Sequence, residues 1–178
     1  MIDKEAVKVL IRSAFAHVKC PFVQNLVNSY EEDEPELVIE AFKDKKDWTT
    51  LTVEFLSNAP DGTDASPLNF FSDEAFLFYL PAYLIADLDF RMDKAYPVFS
   101  LTFGLTEESK NEVIGPRSGE RTWLDAALHK FSMFNKEKAR AIVAYLEYKM
   151  ENGDSPDKPR IREALDNYWL KKAGLKDQ

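Results

Sequence analysis

At several places along the chain, apolar residues recur at intervals of three and four, the spacing of one helix face. Val7, Leu10, Ile11, Ala14 and Val18 make the first such stripe. Asp3 suits its N-cap, and Pro21 disfavours helical geometry at Cys20, so a helix is predicted from Asp3 to about Ala16 or Val18. A second helix is predicted from 35 to about 46. Pro35 and the acids Glu31, Glu32, Asp33, Glu34 and Glu36 suit its positive end, and Lys43, Lys45 and Lys46 its negative end. Leu37, Val38, Ala41 and Phe42 supply its apolar face.

The stretch opened by Trp48, with Leu51, Val53, Phe55 and Leu56, fits a strand or a capped helical turn equally well. Pro60-Asp61-Gly62 marks a loop from 57 to 71. Ser72-Asp73-Glu74 then starts a helix running to about Asp89, apolar on nearly every side and hence enclosed by its own domain. Pro81 removes its hydrogen bond to Leu77 and predicts a kink there.

Between 94 and 105 a helix begun by Pro97 is favoured over an edge strand, and Gly115-Pro116 and Gly119 place a loop from 106 to 120. Three amphipathic helices close the chain. The first carries Trp123, Leu124, Ala127, Leu128 and Phe131. The second, capped by Asn135, carries Ala139, Ile142, Val143, Leu146 and Met150 and ends at Gly153. The third opens at Pro159, with Ile161, Ala164, Leu165, Tyr168 and Trp169 inward. The fold expected is therefore all-α or nearly so: one helical domain over 1–178, bundled around the Pro81-kinked helix, with room for a minor strand pair.

Composition supports a packed interior. The 178 residues are 45% hydrophobic and include thirteen Phe and three Trp. A chain of this length buries roughly 70% of its unfolded surface and needs neither metal nor disulfide to fold. The net charge of −8 disfavours nucleic acid and anionic membranes and favours a basic protein partner. One cysteine, Cys20, allows no internal disulfide, which together with a start lacking signal-peptide character points to the cytoplasm. The uncharged run from Ala75 to Ala86 is too short to span a bilayer.

Candidate chemistry is sparse. His17 and Cys20 are spaced for a thiol–imidazole pair, but Pro21 interrupts the helix they would share, and a structural thiol is the better reading. One Cys and two His, His17 and His129, do not make a structural zinc site. Asp87, Asp89 and Asp93 resemble a calcium loop, but Arg91 occupies a ligand position and Met92 the glycine position. No nucleophile elbow, phosphate loop, dinucleotide turn or zinc-protease pair occurs, so the expectation leans away from an enzyme, with no cofactor and no metal.

The distinctive feature is aromatic: Phe70, Phe71, Phe76, Phe78, Tyr79, Tyr83, Phe90, Tyr96, Phe99 and Phe103. These read first as core. A functional alternative lines a groove beside Pro81, with the Tyr79 and Tyr83 hydroxyls toward a ligand and Arg117 and Arg121 at the rim.

The block Phe76-Leu77-Phe78-Tyr79-Leu80-Pro81-Ala82-Tyr83-Leu84-Ile85-Ala86-Asp87 resembles the signature of a bacterial family known only as a domain of unknown function. Ala14-Phe15, Trp48 and Tyr168-Trp169 agree with it, so the resemblance covers nearly the whole chain. It implies a small bacterial cytoplasmic protein and brings no activity. Three functions follow as expectations. The foremost is a non-catalytic protein-binding or regulatory domain of inhibitor or immunity type. The others are an enzyme or small-molecule binder with a pocket at Pro81, and a structural subunit of a homo-oligomer.

Overall fold

Asp3 caps the first helix as its sequence predicts, its carboxylate accepting from the Ala6 amide at 3.0 Å. The computed structural model describes residues 3–28, 33–58, 60, 65–90, 92, 94–115, 119–153 and 155–176. Helix α1 (Lys4–Phe15) buries Val7, Ile11 and Phe15, four residues apart, whereas Leu10 is 48% exposed. The predicted stripe was thus rotated. Its true centre lies between Ile11 and Phe15, where the stem of Lys8 also packs, and that turn of the helix carries Leu10 outward.

The described residues are all-α and form two compact units, Phe15–Pro97 and Met1–Ala14 with Val98–Gln178. The strand pair for which the sequence left room amounts, among the described residues, to two isolated bridges, Val27 to Phe71 and Val113 to Thr122.

In the unit Phe15–Pro97, α2 (Asp33–Phe42) ends earlier than its lysines suggested, and a short 3-10 turn follows at Trp48–Thr50, capped by Asp47. The Thr52 hydroxyl accepts from the Phe55 amide at 3.2 Å, which settles the ambiguous stretch as helix α3 (Val53–Ser57). The loop expected up to residue 71 is shorter than predicted. Ser66 caps and Pro67 opens a single-turn helix, α4 (Pro67–Phe70), because proline there needs no amide.

Ser72 caps α5 (Asp73–Asp89) through the Ala75 amide at 3.1 Å. The helix runs unbroken with Pro81 inside it, and twelve of its seventeen residues are buried. It packs on the 3-10 turn and on α3. Phe42 gathers the core here, with the rings of Phe55, Phe71 and Tyr79 at 5.0, 5.0 and 4.9 Å.

In the other unit, α6 (Pro97–Thr102) confirms the favoured helix and stops at Gly104, whose φ of 82° suits a residue without a Cβ. The start of the following loop is fastened. Gly104 donates to Ser109 Oγ at 2.9 Å, Glu107 to Glu163 at 2.8 Å, and Asn167 to the Leu105 carbonyl at 2.8 Å. Thr122 and Asp125 make a reciprocal cap for α7 (Trp123–Phe131), on which Leu128 is 41% exposed instead of inward.

Asn135 caps α8 (Lys136–Asn152), which buries Ala139, Ile142, Val143 and Leu146. The last segment begins as α9 (Lys158–Ala164), widens into a π turn at Leu165–Trp169 and closes as α10 (Leu170–Lys172). Trp169 is fully buried against Phe131 and Phe134, its indole donating to the Leu101 carbonyl at 2.9 Å.

Candidate functional site

The tyrosines singled out by the aromatic block stand one turn apart on α5 and face inward. Tyr79 is 1% exposed, and its hydroxyl donates to the Lys45 carbonyl at 2.8 Å, tying down the chain after α2. Tyr83 is wholly buried, and its hydroxyl has no hydrogen-bond partner among the described residues. Burial pushes both phenols well above their ordinary range, aided at Tyr79 by the Cys20 thiol and at Tyr83 by Tyr79. Arg121 belongs to the other unit, where it is exposed and its carbonyl accepts from the Ile114 amide at 2.9 Å. Arg117 lies outside the described residues.

Helix α1 ends at Phe15, so His17 and Cys20 share no helical face. The thiol is exposed and leans on the Pro21 carbonyl at 3.5 Å. Partial burial pushes its pKa up more than Lys46 pulls it down, the opposite of what a thiolate nucleophile requires. Asp87 and Asp89 sit in the last turn of α5, while Arg91 and Asp93 lie outside the described residues. Among the described residues no group of three or more His, Cys, Asp and Glu is placed to hold a metal ion.

One candidate for recognition is a feature that sequence reasoning missed. A groove of about 600 Å³ opens in the C-terminal unit, within the usual range for ligand sites. Leu128 and Phe134 give it apolar ground, and Tyr168 adds a half-buried ring from the π turn. Lys136, the first residue of α8, and Lys171 and Lys172 of α10 also line it. None of its described lining residues is acidic. Asp166, two residues before Tyr168, is paired with Lys176 at 3.1 Å.

Tyr168 reaches the groove from the π turn. Tyr168 and Trp169 were both expected inward, but neighbours in sequence project in different directions from a helix. Trp169 is fully buried, whereas Tyr168 is half-buried. The Tyr168 ring packs on those of Trp169 and Phe131 at 5.1 and 5.9 Å and also lines the groove, and burial pushes its phenol up to about 12. Wide turns of this kind are frequent at functional positions. Lys172 donates to the carbonyl of Ser132, another lining residue, at 3.3 Å, which holds its ammonium group at the groove. The only sequence signal was Lys171-Lys172 directly after Tyr168-Trp169-Leu170, since Lys136 lies far off along the chain.

A smaller groove of about 350 Å³ in the unit Phe15–Pro97 is lined by Phe42, Phe55, Thr52, Glu54 and Asn58 among others. Thr52 caps α3 there, and the Asn58 amide donates to the Glu54 carbonyl at 2.9 Å. The lysine groove is the stronger candidate.

Among the described residues, no helix is long and apolar enough to cross a membrane. No curated protein and no solved structure matches the chain. The block around Pro81, the Trp48 turn and the Tyr168-Trp169 pair all fall within residues 3–173, over which one family matches, and the chain belongs to it: the Family of unknown function (DUF6714).

Proposed function

We propose that this protein is a cytoplasmic, non-catalytic regulatory domain that binds a partner protein in the lysine groove of its C-terminal unit. One observation carries the reading: a chain with net charge −8 concentrates three lysines, and no described acid, on one groove with an apolar floor. Scattered surface lysines would be unremarkable, but a local reversal of sign beside exposed Leu128 has the make-up of a recognition site. The single free thiol suits a reducing compartment.

A photo-crosslinking amino acid placed at Leu128 tests this in living cells, with the same residue at exposed Val9 as control. A discrete protein adduct at 128, absent at 9, is expected. Absence of any adduct at 128, or identical adducts at both positions, would defeat the proposal.

The overall charge supports a second reading, in which a basic partner meets the acidic remainder of the surface. Reversing groove lysines separates the two. It weakens a partner held in the groove and strengthens one held by the acidic field.

A further inference from the structure

Resting on the groove as the binding site, we infer that its occupant is an acidic peptide segment that also carries an apolar side chain. Complementarity supplies the argument. Lys136 and Lys171 are exposed and Lys172 is half-buried, and all three come from the two elements that flank the groove. Lysine is a point charge without the fixed fork that guanidinium offers a phosphate, so ammonium groups spread over two elements suit carboxylates that are themselves spaced along a chain.

Two further features agree. The N-terminal end of α8 opens here, adding a partial positive charge to that of Lys136. Leu128, 41% exposed, and the ring of Tyr168 present apolar surface among the charges, which a purely ionic ligand would leave uncovered. The occupant therefore places carboxylates at the ammonium groups and an aliphatic side chain across Leu128 and Tyr168.

The test uses the full-length chain and a fluorescein-labelled peptide of repeated Glu-Glu-Leu, read by anisotropy at low and physiological salt. Saturable binding is expected, and none for the matching Gln-Gln-Leu peptide. Lys136→Glu combined with Lys171→Glu should weaken binding at least tenfold. Lys94→Glu combined with Lys158→Glu, which changes net charge equally outside the groove, should leave it within twofold. Glutamate at the first position of α8 favours that helix end, so the groove variant should stay folded, as circular dichroism would verify.

Equal losses in both double variants, or equal binding of both peptides, would overturn the inference. A parallel arm titrates inorganic tripolyphosphate and follows the amide signals of Lys136 and Tyr168. If tripolyphosphate moves them and the acidic peptide does not, the peptide inference fails while the groove stands as a site. If neither ligand moves them, the groove reading falls as well.

Discussion

Helix α5 and the lysine groove stand at opposite ends of what a sequence can display. In α5 the buried residues are consecutive: every position from Ala75 to Leu84 is buried, and the run is visible in the order of letters. The groove draws Leu128 from α7, Lys136 from α8, Tyr168 from a π turn and Lys171 and Lys172 from α10. Burial of a whole helix is a local property of composition, whereas a binding surface of this kind exists only once distant elements have met.

Substitution by aspartate at a leucine in each place gives the sharpest contrast. Leu80 is completely buried at the middle of α5, and Leu80→Asp would leave an unpaired carboxylate there, costing more than about 4 kcal/mol. The variant should lose its cooperative thermal transition. Leu128→Asp, at a 41% exposed position, should change stability by less than about 0.5 kcal/mol. A Leu80→Asp protein that still melts cooperatively near the parent temperature would show that α5 is not the core of its unit.

The C-terminal unit has its own sensitive point at a backbone turn. Gly104 has a φ of 82°, and a methyl group on it would stand 2.5 Å from the Trp123 carbonyl oxygen. Gly104→Ala therefore combines an unfavourable backbone conformation with a clash against main chain, and should cost about 2–4 kcal/mol in urea denaturation. A loss under about 1 kcal/mol would mean that the turn after α6 re-forms easily and does not hold α7 in place.

How far each region was legible follows from the same physics. Caps and breakers act over three or four residues, so Asp3, Ser72 and Asn135 marked helix starts that the structure reproduces. Stripe orientation was harder: Leu10 and Leu128 have the right spacing, but which apolar residues turn inward depends on the elements packed above them. The Ser66-Pro67 turn was hidden inside a loop signal made by its neighbours. The aromatic residues of α5 from Phe76 to Tyr83 were correctly read first as core, since the Tyr79 hydroxyl is held by a backbone carbonyl and Tyr83 is enclosed, whereas Phe90, Tyr96 and Phe99, read the same way, are exposed. Nothing in the spacing of the last helix announced the π turn at Leu165–Trp169.

Those two tyrosines provide a finer probe of the core. Tyr79→Phe removes a donor from the Lys45 carbonyl and should destabilise by about 1 kcal/mol. Tyr83→Phe removes a buried hydroxyl that has no partner among the described residues, and should stabilise by up to about 1 kcal/mol. Opposite signs from the same chemical change, one helical turn apart, are the expected outcome of paired urea titrations. Equal destabilisation by both would show that the Tyr83 hydroxyl is hydrogen-bonded after all.

The last effect expected is a pH dependence confined to alkaline solution, and Tyr168 places it in the groove. Its phenol is raised from 10.0 to about 12 by burial. Below pH 10 the folded and unfolded chains both keep this proton, so its contribution to stability is fully present and flat. Between about pH 10 and 12 the unfolded chain releases the proton while the folded chain retains it, and stability falls as pH rises. Tyr79 and Tyr83, raised further by deeper burial, extend the fall beyond that window. Tyr168→Phe should reduce the slope of a stability-against-pH curve between about pH 10 and 12, where Tyr79 and Tyr83 still contribute, and leave the slope elsewhere unchanged. An unaltered slope there would mean that the Tyr168 phenol ionises as freely as one in solvent, and that the groove is wetter than its apolar ground implies.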